Sequence, residues 1–432
     1  MKIVDWKSLS EKQRDEALAR PRRLRSRKLF GDVQAIIDRV RRQGDAALLA
    51  YAKQFDNVAL KSLAVTDKEF AAAENALDPQ VKAALMEAIE RISRWHEAGM
   101  AKAFSVKTAP GVHCGRIIRP IRRVGLYIPA GSAPLPSTVM MLAIPAKLAG
   151  CPDVVLCSPP QADGRIDPAI LVAAKLCGVS KIFKTGGAQA IAAMSFGTKS
   201  IPRCDKLFGP GNAYVSTAKM MVQAMPDGPA IDMPAGPSEV LVIVDAGSNA
   251  AFAAADLLAQ AEHGPDSQVV CLSDSAEKLR EIVAEVKSQC KKLPRKAIVA
   301  KALQYARLIN VDTINEAISV SNRYAPEHLI LAIDDAEAKL PLVSAAGSVF
   351  LGQWAPESLG DYCSGTNHTL PTNGFARAYS GVSVASYQLS ISTQKVSRKG
   401  LRTIGPCAEI LARCEGLDAH ALAVSIRLQA AS

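Results

Sequence analysis

The chain has 432 residues, 49% of them apolar and only 5% aromatic, which is enough to bury more than one packed core. Ten scattered cysteines without a Cys-x-x-Cys pair exclude a zinc ribbon or a thioredoxin-like redox centre and point to reduced thiols, so any metal must use His, Asp, Glu or Gln. The formal charge of +11 favours anionic small molecules through the overall field.

Residues 1–25 read as an N-terminal arm that carries part of the basic excess in Arg20, Arg22, Arg23 and Arg25, with Arg27 and Lys28 just beyond. Neither this cluster nor Arg116, Arg119, Arg122 and Arg123 has interleaved aromatics or a binding motif, so no nucleic-acid partner is expected. A solvated arm or a subunit contact fits them better. The first seven residues lack a signal-peptide core, and the best apolar run, 139–146, is short, interrupted by Pro145 and followed by Lys147. A cytoplasmic protein without a membrane partner is therefore expected. Apolar residues at three-to-four spacing predict helices over 30–55 and 67–100. From 103 to 127 the chain turns basic and β-branched, which predicts an extended ribbon between two bodies.

Short apolar runs then follow at 153–157, 181–184, 239–244, 268–272, 328–333 and 348–351, alternating with Ala-rich helical stretches. This β-α-β order predicts parallel sheets with right-handed crossovers and helices on both faces. No short-period repeat is present. Beyond about residue 380 the chain reads as helical and polar, as a C-terminal arm would.

Two turns in the middle of the chain suit an anionic ligand. Gly186-Gly187-Ala188-Gln189 leads into a helix, and Phe208-Gly209-Pro210-Gly211-Asn212 precedes another. Glycines there let backbone N–H groups approach a phosphate at a helix N-terminus. Neither turn is a full Gly-x-Gly-x-x-Gly fingerprint, because Tyr214 takes the third glycine position of the second, and plain tight turns would use the same residues. The loop running from Gly125 through Tyr127 to Gly131 could close an aromatic ring over the same ligand.

Four further strings carry polar chemistry. Gln260 and His263 lie three residues apart, on one face of the last turn of a helix that Gly264-Pro265 ends. Alone, a capping His and a surface Gln would look the same. Pro326-Glu327-His328 sets a carboxylate beside an imidazole at a strand start, a pairing suited to proton transfer and equally to capping. A polar loop holds Asp361 and His368, and Glu415 precedes His420 by five residues near the C-terminus.

These strings resemble a known family. Residues 125–131, 186–193, 208–214, 260–267, 324–329 and 360–368, with Met233-Pro234-Ala235-Gly236-Pro237-Ser238-Glu239, are similar in content and order to the motifs of histidinol dehydrogenases. The likeness runs from about Arg27 to His420. It implies one Zn2+ per subunit, held by Gln260, His263, Asp361 and His420, a donor set without thiolate that leaves room for substrate nitrogens. It places NAD+ contacts on Tyr127, Gln189 and Asn212. Substrate contacts fall on Ser238, Gln260, His263, His328, Asp361, Glu415 and His420, together with the loop around His368.

The implied reaction is the four-electron oxidation of L-histidinol through the aldehyde to L-histidine, the last step of histidine biosynthesis, with two NAD+. His328 is implied as general base with a pKa near the working pH, and Glu327 as the base that activates water. The zinc would orient the substrate rather than make the nucleophile. With the alternation, the resemblance implies an α/β fold of two incomplete Rossmann-like parallel-sheet domains with helical or extended terminal arms. The expected limits are 1–25 for the N-terminal arm, 26–107 with 238–380 for a first domain bearing the metal and catalytic motifs, 108–128 for a basic ribbon, 129–237 for a second domain with the NAD loops, and 381–432 for the C-terminal arm. A homodimer is implied, with Glu415 and His420 reaching the neighbour's site. A paralogous enzyme for another small alcohol such as a sulfonated diol, a metal-dependent hydrolase and a silent nucleotide-binding protein remain alternatives; Glu415 and His420 favour an imidazole-bearing amino alcohol over the paralogue.

Overall fold

Runs that are apolar except at their ends become central strands, because a strand covered by helices on both faces has no solvent side to mark with polar residues. Glu239–Val244 and Gln268–Ser273 are buried at all six positions, and His328–Ala332 at all five. In the computed structural model, which describes residues 1–20, 27–130, 133–234 and 236–431, these strands form the middle of a six-stranded sheet. Its spatial order is Ile3–Asp5, Arg307–Asn310, Gln268–Ser273, Glu239–Val244, His328–Ala332, Ser348–Leu351, and every neighbour is parallel. A five-stranded parallel sheet runs Lys181–Lys184, Asp153–Ser158, Arg123–Tyr127, Lys206–Phe208, Ala230–Ile231. The α/β fold with two parallel sheets is thus the one the alternation predicts. Arg22, Arg23, Arg25, Gly131 and Ala235 lie outside the described residues.

Four apolar layers cover the two sheets. On the six-stranded sheet, Ala254, Leu257 and Leu258 of helix Ala250–Ala261 pack with Leu279 and Ile282 on one face, while Ile318 and Val320 of Ile314–Tyr324 pack with Trp6 and Leu18 on the other. On the five-stranded sheet, Met141 and Leu142 of Pro136–Ala149 join Ile92 of Pro79–Ala98 on one face. Val33, Ile37 and Val40 of Arg27–Gln43 meet Ile191 and Val215 on the other.

The structure distributes the segments named in the expected limits as follows. Residues 26–107 were grouped with 238–380, yet helices Arg27–Gln43 and Pro79–Ala98 bury their apolar stripes against the five-stranded sheet, where complementary apolar surface waits. The N-terminal arm contributes an edge strand, Ile3–Asp5, which pairs with Arg307–Asn310. Only part of the 108–128 ribbon is a ribbon: Arg123–Tyr127 is the middle strand of the five-stranded sheet. The C-terminal arm begins with strand Gln388–Val396, which pairs antiparallel with Val112–Pro120, itself paired with Phe104–Ala109. Helices Arg398–Cys414 and Asp418–Ala431 then form a hairpin. Among the described residues no helix is long and apolar enough to cross a membrane, and all ten cysteines are free.

Candidate active site

Crossover geometry explains why separated strings meet. A helix that returns the chain between parallel strands runs opposite to them, so the C-terminus of Ala250–Ala261 arrives beside the N-terminal ends of Glu239–Val244 and His328–Ala332. That helix end carries Gln260 and His263, and those strand starts carry Ser238, Glu327 and His328. The sheet's strand order also reverses there, since His328–Ala332 returns to pair with Glu239–Val244 on the side away from Gln268–Ser273. In the other body the reversal falls between Arg123–Tyr127 and Lys206–Phe208, and a crevice opens beyond their C-terminal ends, the usual place for a ligand in such sheets. The two sites face one cavity of about 1210 Å³, lined by Tyr127, Gln189 and Asn212 at one end and by Ser238, His263, Glu327, His328, Asp361 and His368 at the other. One small ligand needs roughly 300–1,000 Å³, so the cavity exceeds what a single small ligand requires.

Glu327 and His328 are both buried. The Glu327 Oε2 accepts the backbone N–H of Glu239 at 2.9 Å and lies 3.7 Å from His328 Nδ1. His328 Nδ1 is also 3.3 Å from the Glu239 carbonyl and 3.5 Å from Glu357 Oε1, while Nε2 lies 3.7 Å from Asp361 Oδ1 with no hydrogen bond. A neutral ring that donates Nδ1–H to the carbonyl presents Nε2 as a lone pair. Burial, and then the fields of His263 and His368, push this imidazole down to about 3, well below the expected value near neutrality. Burial pushes the Glu327 carboxyl well above its usual range, since a single backbone N–H opposes the loss of water.

Beside this pair, one ligand atom from each of His263, Glu357 and Asp361 lies within 4.8 Å of the others. Glu357 was missed in the sequence, although it stands four residues before Asp361 and so on the same helical face of Glu357–Tyr362. Its carboxyl is raised by burial first and by Asp361 and Glu327 second; burial alone raises Asp361. Gln260 is fully buried with neither amide atom hydrogen-bonded. Buried polar groups left without partners are uncommon. Crowded carboxyls beside an imidazole, with an orphaned buried amide three residues before it on the same helix end, fit a divalent cation, which would supply a partner and reverse the pKa shifts. His420 and Glu415 do not join this group within one chain: both are exposed, on the second helix of the C-terminal hairpin and just before it.

At the other end, Tyr127 is buried and its hydroxyl accepts the N–H of Gly187, fixing the start of helix Gly187–Phe196. Asn212 caps the next helix, its Oδ1 accepting from Tyr214 and Val215 at 3.0 and 3.2 Å. Gly209 has φ +123°, and a Cβ there would strike the Tyr127 carbonyl. A buried clamp holds this loop. Lys219 Nζ reaches Asp232 at 2.5 Å and the Gly209 carbonyl at 2.8 Å, and Asp232 in turn accepts the Gly209 N–H at 2.8 Å. His368 meets Ser137 Oγ at 3.3 Å, and burial pushes its imidazole down to about 4.

The family model described as histidinol dehydrogenase matches residues 19–428. The chain belongs to the histidinol dehydrogenase family. It is 58% identical over 432 residues to the histidinol dehydrogenase of Xanthomonas axonopodis pv. citri (strain 306), with all of both chains covered. The Vibrio parahaemolyticus histidinol dehydrogenase is 49% identical over 429 residues, 99% of each chain. The crystal structure of histidinol dehydrogenase from Elizabethkingia anophelis superposes with a TM-score of 0.95 at 47% identity, covering 99% of this chain and 98% of that one. The agreement in fold therefore extends over both sheets and the C-terminal hairpin of this family member.

Proposed function

We propose that this chain oxidises L-histidinol to L-histidine with two NAD+ and a bound zinc ion, as a cytoplasmic homodimer. The observation that carries the reading is a buried carboxyl and imidazole, Glu327 and His328, set in one cavity between dinucleotide-type loops and a cation-type cluster. Membership of the family, with relatives named histidinol dehydrogenase at 49% and 58% identity, supplies the substrate.

Gln260, His263 and Asp361 would hold the zinc, with Glu357 beside them and His420 brought by the second subunit. When bound, the metal orients the substrate's imidazole and amine, and NAD+ accepts the hydride. Tyr127, Gln189 and Asn212 receive the cofactor at the crevice of the five-stranded sheet. Ser238 and His368 line the substrate end, and Glu415 of a second copy supplies a carboxylate for the substrate amine.

The proton chemistry belongs to the buried pair. His328 Nε2, neutral and without a hydrogen bond, takes the hydroxyl proton as the first hydride leaves carbon. Glu327 then removes a proton from water as the water oxygen bonds to the aldehyde carbon, while the proton held on His328 Nε2 passes to the carbonyl oxygen. As a carboxylate beside the cavity, Glu327 is placed to take that proton, and a cation bound at the neighbouring cluster would favour its ionised form. The hydrate loses a second hydride and a proton to become the acid. In sum, alcohol, water and two NAD+ give carboxylate, two NADH and three protons.

The test is NADH yield from L-histidinol in the zinc-loaded protein, with and without a chelator. Two NADH per histidinol, abolished by chelation and restored by zinc, is expected. One NADH per histidinol, or turnover of a sulfonated diol in place of histidinol, would reject the reading. Gly209→Ala checks the cofactor end separately. Its positive φ and the Tyr127 carbonyl leave no room for a Cβ, and strain of about 1–3 kcal/mol predicts an NAD+ KM roughly fivefold to a hundredfold higher. The KM for histidinol should stay near its original value.

A further inference from the structure

We propose that Arg20 is a positioning residue for the acid–base pair, acting through Glu239 from the N-terminal segment of the chain. This inference rests on the assignment of Glu327 and His328 given above. Glu239 opens the strand between Ser238 and Val240, and its peptide touches both reacting residues: the N–H holds Glu327 Oε2 at 2.9 Å, and the carbonyl lies 3.3 Å from His328 Nδ1. Whatever places Glu239 therefore places the Glu327 carboxyl and orients the His328 ring.

The Glu239 side chain is held by Arg20. Nε and Nη2 of the guanidinium bond its two carboxylate oxygens at 2.6 and 2.7 Å, a fork that a single ammonium cannot copy. Tyr324 Oη lies 3.1 Å from the same carboxylate and 3.0 Å from Gln268 Oε1, sharing its one proton between them, and the guanidinium lies 3.8 Å over the Tyr324 ring. The Glu239 side chain is only 2% exposed, so its charge depends on this partner rather than on water.

The same guanidinium reaches a second support. Nη2 bonds the Tyr324 carbonyl at 2.9 Å, at the head of the turn Ala325-Pro326 that delivers Glu327. Ala325 has φ +53°, a left-handed conformation that a non-glycine residue holds only where its surroundings enforce it. Arg20 thus grips both strand starts that present the pair, from a segment anchored elsewhere by Ile3–Asp5 in the sheet and by the Gln268 amide on the Ala19 carbonyl at 3.1 Å. No other charged side chain bonds the Glu239 carboxylate among the described residues.

Arg20→Ala in the full zinc-loaded protein is expected to lower kcat about a hundredfold, the scale of an ångström-level misplacement, while KM for histidinol and NAD+ stay within about twofold. Zinc content by elemental analysis should be unchanged, and added guanidinium ion should restore part of kcat in this variant but not in the parent. Arg20→Lys should not recover it. An unchanged kcat, or a loss that follows the fraction of unfolded protein and resists guanidinium, would overturn the proposal. If Arg20→Ala does not fold, Tyr324→Phe keeps the ring and removes one bond to Glu239, and kcat should fall about threefold to tenfold; no fall sinks the idea. Glu327→Gln measured alongside separates the two readings. If it leaves aldehyde oxidation untouched, the acid–base assignment fails; if it slows that step while Arg20→Ala does not alter kcat, only the role of Arg20 fails.

Discussion

Replacing Glu327 by Gln is expected to slow oxidation of the aldehyde by about a hundredfold to ten-thousandfold, the usual worth of a positioned base, and to leave oxidation of histidinol to the aldehyde largely intact. The substitution is close to isosteric. Its amide oxygen can still accept the Glu239 N–H that Glu327 Oε2 accepts at 2.9 Å, so the strand start should keep its geometry. What disappears is the group able to take a proton from water, whereas His328 Nε2 remains free to take the alcohol proton. Single-turnover NADH formation, begun once from histidinol and once from the aldehyde, measures the two steps apart. Equal losses in both would mean that Glu327 has no separate part in hydration.

The second large effect concerns the metal and how subunits share it. His263→Ala and His420→Ala should each lower zinc content and nearly abolish turnover, for different geometric reasons. His263 is grouped with Glu357 and Asp361, whereas His420 is exposed on the second helix of the C-terminal hairpin. If His420 completes the site of a second copy, mixing the two inactive variants regenerates one intact site per mixed dimer, and roughly a quarter of the parent activity returns by two-fold symmetry. A mixture that stays inactive would place both residues in one chain's site. Full zinc occupancy in the His420→Ala protein would remove this histidine from the ligand set altogether.

Legibility in the sequence varied with how a residue's role is written locally. The strands over 239–244, 268–272 and 328–333 were readable because burial on both faces imposes continuous apolar runs. Arg307–Asn310 was not, since only Leu308 and Ile309 stand between polar ends. Arg123–Tyr127 reads as ribbon because it follows a basic stretch and carries Arg123 and Gly125; its central place depends on partners at 153–158 and 206–208. Strand Gln388–Val396 reads as helical because eight of its nine positions, Leu389 to Val396, are exposed and no buried run marks it.

In the site, His263 and Asp361 were marked by their strings and do meet, while Glu357 was silent, since a glutamate near a helix start reads as an ordinary first-turn acid. Arg20 read as part of a solvated basic arm until Glu239, 219 residues away, closed on it.

The sequence by itself determined the α/β alternation, the glycine turns and the polar strings, because burial, backbone conformation and helix periodicity act on neighbouring residues. The tertiary structure alone decided that helices 27–98 cover the five-stranded sheet, that Glu357 stands within the cation-type cluster and that Arg20 supports Glu239. Those outcomes depend on desolvation and charge pairing between distant segments, and an ionisable side chain carries no local mark of whether it will face water or a buried partner.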